Sequence, residues 1–585
     1  MVLFPRNPFE QNPLATLLGK RFVPNAYDLA AFVLIMGLIA LVAHGVGDMR
    51  APLKVLSDSP VTLDVSRLPE YGLRTTVRMF AAMLASLLFT FTVATLAAKS
   101  RRAELVIIPA LDILQSVPVL GFLTFTVTFF MGLFPGSQLG AECASIFAIF
   151  TAQAWNMAFS FYQSLRTVPG DLDEVSRGFG FSAWQRFWRL EAPFAAPGLV
   201  WNMMMSMSGG WFFVVASEAI TVGNTTVELP GIGSYLALAI DQKNFAAVGW
   251  AVLTMGVLIA LYDQLLFRPI VAWADKFRFE QTAAKDQPRS WVYELVRRTR
   301  VLKRLYAPLG WLSRRLMRAS PNRAGRSRAA PVTHSEGIQW GDRVWLALVI
   351  VAATAGAWVA FDYVRQSLGW HDVAHALVAG LTTLLRVVVL IAIATVIWVP
   401  IGVWIGLRPG VAQRVQPLAQ FLAAFPANVL FPIAVMAIVA THANPNIWLS
   451  PLMVLGTQWY ILFNVIAGAS AFPSDLREVA TVYRLRSWTW WRKVILPGVF
   501  PYYITGALTA SGGSWNASIV AELANWGDTH VEAFGLGSYI AKATEAGDYR
   551  RVVLGIAVMS LFVTLFNRAV WRRLYVFAER RLRLA

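Results

Sequence analysis

The chain has 585 residues, of which 57% are hydrophobic and 14% are charged, and its mean hydropathy is +0.54. Soluble domains average about 45–50% apolar and about 25% charged residues, so this composition excludes a soluble multidomain protein and indicates an all-α integral membrane protein. The single cysteine, Cys143, excludes a disulfide framework and a cysteine-rich metal site. The net charge of +18 fits either nucleic-acid binding or membrane topology, and the position of the charge decides between them.

Because about 20 apolar residues cross a bilayer as a helix, the hydropathy pattern predicts about twelve spans. They lie at 29–44, 77–98, 106–134, 141–165, 196–222, 245–267, 344–361, 377–407, 415–440, 447–469, 499–522 and 552–570. Pro118 in the third and Pro426 in the ninth predict kinked or broken helices. Residues 1–25 contain four prolines and lack a small-residue cleavage site, so we expect the first span to be retained.

The basic residues concentrate in two segments. Residues 276–341 carry 15 Lys or Arg against 4 Asp or Glu, and 568–585 carry 6 Arg against 1 Glu, so together they hold 16 of the 18 net charges. Positive segments next to spans stay cytoplasmic, which predicts six spans in each half of the chain. Residues 291–317 mix basic with aromatic and aliphatic residues, which favours an amphipathic helix on anionic lipid over nucleic-acid binding.

An internal repeat relates the two halves. Arg78 and Arg386 are 308 residues apart, and beyond the third span an offset of 304 relates Glu218 to Glu522. We therefore predict a tandem duplication: a first repeat at 1–275 (core 74–268), a basic linker at 276–341, and a second repeat at 342–585 (core 381–572). An even number of spans per half gives both repeats the same orientation, and parallel repeats favour a transport pathway along their common axis.

One cytoplasmic loop in each half is long, charged and rich in aromatic residues, at 166–197 and 474–501. Gly178 and Gly180 are expected to divide the first loop into two short helices. Such a surface favours docking of a protein partner, and the alternative is an interfacial helix without a partner.

These loops resemble the E-A-A-x3-G-x9-I-x-L-P signature of the membrane subunits of ATP-binding-cassette (ABC) importers. Glu174, Gly180 and Pro193 match in the first loop, and Glu478 and Pro497 match in the second. Three further motifs are similar to the nitrate/taurine/sulfonate-type branch: T-L-L-R-V at 383–387, the proline of A-A-F-P, and A-E followed by G-L-G-S-Y. The chain as a whole resembles the fused, duplicated anion permeases of that branch. The resemblance implies a type I importer-like fold in which these loops couple to an ATPase. The coupling residues it implies are Glu174, Gly178, Gly180, Arg186, Pro193, Glu478, Arg484, Arg492 and Pro497.

The second loop departs from the signature, because Arg484 stands where the glycine is expected. In addition, Leu190-Glu191-Ala192 replaces the I-x-L of the signature in the first loop. The two loops are therefore not expected to couple equally to the ATPase.

The sequence contains no G-x4-G-K-[ST] phosphate loop, so the resemblance implies that ATP and magnesium are bound by two copies of a separate ATPase subunit. Other expected partners are membrane lipid and a periplasmic solute-binding protein. We expect no cofactor, metal or catalytic centre in this chain itself. The expected location is the bacterial inner membrane, with both termini and the linker in the cytoplasm.

Ionisable and polar residues inside the predicted spans are candidates for the substrate pathway. Arg78 and Arg386 are expected either to attract an anion or to snorkel or pair with carboxylates, and Glu218 and Glu522 to act in gating or structural pairing. The other candidates are Gln153, Asn156, Trp211, Gln458, Trp515 and Asn516. Gly209, Gly210, Gly512 and Gly513 are expected to let the fifth spans pack closely at the repeat axis.

The sequence therefore predicts an importer permease for a small anion such as nitrate, a sulfonate or taurine, or bicarbonate. The alternatives are a two-repeat secondary transporter driven by an ion gradient and a membrane-embedded enzyme. A secondary transporter would not explain the two long matched loops. A membrane-embedded enzyme would need a convergent catalytic cluster, which the sequence does not show.

Overall fold

The computed structural model describes residues 61–116, 119–222, 225–277, 290–299, 340–470, 487–526 and 529–581, with single positions between 308 and 311 and between 472 and 485. The first predicted span, Pro118 and most of the basic linker lie outside the described residues. The described part is overwhelmingly helical, as expected where backbone groups must satisfy each other away from water.

The helices of the first half comprise long apolar ones and short ones, and several of the long ones adjoin a π-helical turn. They are α1 (Leu68–Phe89), α2 (Thr95–Lys99), α3 (Arg101–Ser116), α4 (Val119–Leu133), α5 (Leu139–Arg166), α6 (Gly170–Gly178), α7 (Ala183–Arg186), α8 (Ala192–Glu218), α9 (Ile232–Asp241), α10 (Phe245–Tyr262), α11 (Arg268–Ala274) and α12 (Trp291–Arg298). A hairpin of β1 (Ala219–Val222) and β2 (Thr225–Glu228) follows α8.

Among the described residues, the second half has a similar order, with an additional first helix and with three helices in place of α5. Its helices are α13 (Trp340–Arg365), α14 (Trp370–Gly406), α15 (Pro409–Ala424), α16 (Phe431–Ala440), α17 (Pro445–Trp448), α18 (Leu452–Leu455), α19 (Gln458–Ser470), α20 (Ser487–Trp490), α21 (Leu496–Ala521), α22 (Leu536–Glu545), α23 (Tyr549–Phe566) and α24 (Arg572–Arg581). A second hairpin, β3 (Leu523–Trp526) with β4 (Thr529–Glu532), follows α21 at the place equivalent to the first.

Within the described residues, seven helices are long and apolar enough to span a membrane, or nine if each of two bent pairs is one span. The predicted number of about twelve is not confirmed. The third predicted span is described as α3, with 16 residues, and α4, with 15 residues, and the two positions that join them lie outside the described residues. Helix α5 has 28 residues, but its sequence is less apolar than those of the seven spanning helices, so it is not counted among them.

A sharp break occurs at the predicted ninth span. The helix ending at Ala424 and the helical segment starting at Ala427 meet at 76°. Phe425 is extended, with φ −70° and ψ 123°, because the residue before a proline is excluded from the helical region. The break predicted from Pro426 is thus confirmed. A 43° bend between α18 and α19 has no proline at the joint and was not predicted.

The chain divides into two compact units. The smaller contains residues 164–200, 262–277 and 290–299 of the described part, and within it α11 packs against α12. The larger contains the other described residues, and its core is built where α19 packs against α14 and α21. Gly402 and Gly406 of α14 allow this approach, since a Cβ atom at either position would overlap Val465 or Ala469.

Candidate functional site

The first long loop folds into two short helices joined by a tight turn. Helix α6 ends at Gly178, and Gly180 adopts a φ of +68°, a left-handed conformation that glycine accepts without strain. Ser182 then begins α7 with a reciprocal pair of capping bonds to Gln185. The prediction that the glycines divide this loop is confirmed.

Arg186 ties the two parts of this loop together. Its Nη1 donates to Asp173 Oδ1 of α6 at 3.0 Å, and its Nε donates to Glu191 Oε1, just before α8, at 3.0 Å. The side chains of Arg186 and Asp173 are 25% and 30% exposed, so each bond adds roughly 0–1 kcal/mol of stability. Their main consequence is geometric, because α6 is fixed to the chain that enters α8.

The second loop makes the same turn with a different residue. Arg484, at the position equivalent to Gly180, has a φ of +49°. Leu485 N–H donates to Ala480 O at 2.9 Å, as Phe181 N–H donates to Ser176 O at 3.2 Å in the first loop. An arginine is therefore held in a conformation that costs non-glycine residues about 1 kcal/mol or more.

Exchanging these two residues is expected to change stability in opposite directions. Arg484→Gly should raise the free energy of unfolding by about 1 kcal/mol, and Gly180→Arg should lower it by a similar amount. Gly178→Ala is the control, because Gly178 lies in helical conformation with open space at its Cβ, so it should not destabilise. Unfolding of the purified variants would measure this, and a loss of stability in Arg484→Gly would contradict the assigned turn.

Both loops expose aromatic side chains at equivalent positions. Phe179 and Trp184 are 66% and 40% exposed in the first loop, and Tyr483 and Trp488 are 74% and 69% exposed in the second. Exposed aromatic residues on a charged loop are typical of protein docking sites. Of the predicted coupling residues, Glu174, Glu478 and Arg492 are also exposed, whereas Pro193 and Pro497 are partly buried in the first turns of α8 and α21.

The first half contains a fully buried ion cluster. Arg78 of α1 donates Nε and Nη2 to the two oxygens of Glu142 at 2.6 and 2.7 Å, and Nη1 to Glu218 Oε1 at 2.6 Å. Thr75 Oγ1 donates to Glu218 Oε1 at 2.7 Å, and Gly233 N–H donates to Glu218 Oε2 at 2.7 Å. All three charged side chains are 0–1% exposed. Each carboxylate is therefore matched by at least two donors, as a buried charge requires.

Helix ends balance the extra negative charge of this cluster. Glu142 lies in the first turn of α5, and Gly233 lies in the first turn of α9. The positive ends of both helix dipoles therefore face the carboxylates. Gly231 is required for close approach, since a Cβ atom there would overlap the Glu218 carboxylate.

The second half reproduces this cluster with one carboxylate fewer. Arg386 Nη1 donates to Glu522 Oε1 at 2.9 Å, Thr383 Oγ1 donates to the same oxygen at 2.9 Å, and Gly537 N–H donates to Glu522 Oε2 at 2.8 Å. Asn446 takes the place of Glu142 and accepts from Arg386 Nη2 at 3.1 Å. The Arg386 side chain is 10% exposed, so the second cluster is weaker and closer to water.

In this structure the four charged candidates pair with one another, and the predicted role in attracting an anion stays a prediction. Arg78 and Arg386 pair with carboxylates, and Glu218 and Glu522 serve as their partners. None of the four lines the central cavity described below. In this conformation they link α1 to α5 and α8, and α14 to the α21 end, rather than facing a substrate.

A cavity of about 150 Å³ lies between the two repeats within the larger unit. Phe425 and Ala427 beside the 76° bend border it, and so does Val119, the first described residue of α4. Helices α5, α8, α19 and α21 contribute further walls. The cavity therefore lies where two parallel repeats are expected to form a pathway.

Two of the ten candidate pathway residues, Asn156 and Asn516, line this cavity. The buried Gln153 donates to Met207 Sδ at 3.3 Å, and Gln458 accepts from Trp398 Nε1 at 2.9 Å, so both amides bond to neighbouring helices. Trp211 and Trp515 are each 1% exposed and lie inside the packing.

The expected central packing glycines have two different surroundings. Gly209, Gly512 and Gly513 line the cavity, and the position of a Gly512 Cβ is open space. Gly210 instead faces Gln153 and Met79. Close helix packing thus explains Gly210, while Gly512 keeps the cavity open.

Sequence reasoning missed several members of the buried clusters. Glu142, Thr75, Thr383 and Asn446 were not among the candidates, although Thr75 and Thr383 share the 308-residue offset of the arginines. That offset was the available signal for the threonines. Glu142 and Asn446 are related by the offset of 304, but one is a carboxylate and the other an amide, so a search for identical residues in the two repeats does not find them.

Comparison with known proteins gives the family. The family model described as "binding-protein-dependent transport system inner membrane component" matches residues 88–268 and 398–583, which together are more than half of the chain. Two helical repeats with matched loops define a duplicated membrane transport subunit. The chain belongs to this family and carries its domain twice. It is accordingly a multi-pass protein of the bacterial inner membrane.

Curated relatives each align with about a third of the chain. The nitrate import permease protein NrtB of Leptolyngbya laminosa is 29% identical over 188 residues, which are 32% of this chain and 64% of the relative. The bicarbonate transport system permease protein CmpB of Synechococcus elongatus is 29% identical over 205 residues, 35% of this chain and 68% of the relative. The taurine transport system permease protein TauC of Escherichia coli is 25% identical over 196 residues, 33% of this chain and 67% of the relative. The chain thus spans just under two thirds of the length of the Leptolyngbya relative.

Proposed function

We propose that this chain is the membrane-spanning permease of an ABC importer and forms the pathway for a small anion. The observation that carries the proposal is the pair of matched loops, which make the same turn in both repeats and expose equivalent aromatic residues. A secondary transporter has no need for such a pair. The names of the relatives support an anion of the nitrate, bicarbonate or sulfonate class.

The energy in this proposal comes from two copies of a separate ATPase subunit docked on the loops. Closure of the ATPase dimer would move α6 and its equivalent in the second half. The Arg186 bonds to Asp173 and Glu191 would carry this motion into the chain entering α8. The two repeats would then rock about their common axis and open the pathway alternately to each side.

The remaining parts of the proposal concern partners and orientation. The loops, the linker and the termini lie in the cytoplasm in this proposal, which the basic linker at 276–341 and the basic C-terminal segment support through the positive-inside rule. A periplasmic solute-binding protein would deliver the anion to the opposite face. Anionic lipid would hold the linker.

The test is charge reversal on the loops. We expect Glu174→Lys with Glu478→Lys to abolish co-purification of the ATPase and ATP-dependent uptake, because two exposed carboxylates of the docking surface become cations. Glu545→Lys, at an exposed position near the end of α22, is the matched control and should leave both unchanged. Intact complex formation and uptake in the double variant would contradict the coupling assignment.

A further inference from the structure

The cavity between the repeats has a mainly apolar wall that carries several uncharged polar groups. Of the described residues that line it, none is Lys, Arg, His, Asp or Glu, although amides and hydroxyls are frequent. A cavity of about 150 Å³ has room for about five water molecules or one small polyatomic ion with little water. The direction in which the polar groups point therefore determines what it can hold.

Asn516 of α21 lines the cavity, and its hydrogen bonds fix the orientation of its amide. Its Oδ1 accepts from Val119 N–H at 2.7 Å, which fixes the orientation of the amide because a backbone N–H can only donate. Its Nδ2 makes one long bond of 3.4 Å, to Gly512 O. The acceptor of Asn516 is thus engaged and its donor is nearly unused.

Asn156 of α5 has the same arrangement. Its Oδ1 accepts from Gln115 Nε2 at 3.2 Å, which leaves Nδ2 as the group available to a ligand. The position equivalent to Asn156 in the second repeat is Tyr460, which also lines the cavity and brings its hydroxyl next to Gly209. The repeats therefore place one donor each at the same structural position.

Ser206 of α8 provides an independent sign of a missing ligand. It lines the cavity, is 4% exposed, and its Oγ has no hydrogen-bond partner among the described residues. A buried hydroxyl without a partner costs about 1–3 kcal/mol, so such groups usually meet a ligand or a water. Other cavity hydroxyls are already engaged, since Thr151 donates to Ala148 O and Thr509 to Thr505 O.

We propose that this cavity is a binding site for one monovalent oxyanion, held by four uncharged donors: Asn156, Ser206, Tyr460 and Asn516. The site deepens the proposed function, on which it rests, by giving the pathway a position and a charge selectivity. Because the two amide oxygens are engaged, while Asn516 Nδ2 makes only one long bond, the site favours a ligand that accepts hydrogen bonds. Two donors come from each repeat, so relative movement of the repeats would break the site and release the ion.

The absence of a cation among the described lining residues sets the selectivity. The cost of moving an ion out of water rises with the square of its charge, and neutral donors offset that cost for one charge far better than for two. A fixed Lys or Arg would also hold the ion tightly, whereas conduction requires binding weak enough for release. We therefore expect nitrate to bind and sulfate to be rejected.

The experiment measures heat stability of the purified full chain during titration with nitrate, with sulfate at equal ionic strength as comparator. Asn156→Asp and Asn516→Asp keep the acceptor oxygen of each amide but replace the donor by a negative charge. Asn202→Asp is the matched control: Asn202 bonds to Ser160 Oγ at 2.8 Å, does not line the cavity, and a carboxylate there can accept from the same hydroxyl. Tyr460→Phe removes one donor with little change of shape, and it serves if an aspartate variant fails to fold.

We expect nitrate to stabilise the wild type and Asn202→Asp, with an apparent affinity roughly tenfold to a hundredfold weaker in the two cavity variants and several-fold weaker in Tyr460→Phe. Equal nitrate affinity in all variants, equal binding of sulfate, or no response of the wild type to nitrate would each overturn the site. Uptake by the complex with the ATPase is measured separately. Nitrate binding without ATP-dependent uptake would reject the proposed function and leave the site standing, and the reverse result would reject the site alone.

Discussion

Replacing Arg78 by methionine is expected to lower the free energy of unfolding by about 3–5 kcal/mol, the usual cost of leaving a buried charge without its partner. Arg78 is 0% exposed and is the cation for both Glu142 and Glu218. The variant would leave two carboxylates facing each other in the protein interior. Unfolding of the purified chain in a denaturing detergent would measure the loss.

Arg386→Met is the matched control in the other repeat. Arg386 serves one carboxylate and an amide and is 10% exposed, so the loss should be smaller, about 1–3 kcal/mol. Adding Glu142→Gln to Arg78→Met should restore part of the stability, because one unpaired charge disappears. Equal losses in the two arginine variants, or no rescue by glutamine, would show that the first cluster is not held as described.

The second large effect is expected from Gly231→Ala. A Cβ atom at this position would overlap the Glu218 carboxylate, which is held on its other sides by Thr75, Arg78 and the Gly233 N–H. Either the carboxylate leaves its bonds or α9 moves away, and both should cost about 3 kcal/mol or more. The melting temperature of the purified variant should fall accordingly.

Gly249→Ala provides the comparison for this prediction. Gly249 lies in α10 with open space at its Cβ, so alanine should be neutral or slightly stabilising. Gly535→Ala, which meets Glu522 in the second repeat, should behave like Gly231→Ala. A harmless Gly231→Ala would mean that the α9 end does not approach the carboxylate so closely.

Local sequence signals predicted the features that depend on neighbouring residues. Apolar runs predicted most of the spans, Gly178 and Gly180 predicted the division of the first loop, and Pro426 predicted the helix break that the structure shows at 76°. The duplication was readable because the pairs Arg78 and Arg386 and Glu218 and Glu522 keep nearly the same offset, 308 and 304 residues, along the chain. In each case a short stretch of chain carries the physical cause.

Features made by distant residues could not be read in this way. The Glu142 partner of Arg78 is 64 positions away and becomes its neighbour only when α1 packs on α5. The strand pairs after α8 and α21 were not predicted, and for the first pair the β-branched residues Ile220, Thr221 and Val222 were assigned instead to the end of the span at 196–222. All four amide residues could be proposed as pathway candidates from the sequence. Only the fold shows that Asn156 and Asn516 line the cavity, whereas Gln153 and Gln458 bond to neighbouring helices.

The source of energy for transport is the central claim, and uptake by reconstituted vesicles tests it most directly. The full chain and its ATPase would be placed in lipid vesicles with the solute-binding protein on the side from which nitrate enters, and nitrate entry would be followed with ATP alone, with a proton or sodium gradient alone, and with neither. Our account predicts uptake with ATP, none with a gradient alone, and loss of ATP-driven uptake in the Glu174→Lys, Glu478→Lys variant. Gradient-driven uptake by the chain without the ATPase would contradict it and establish a secondary transporter instead.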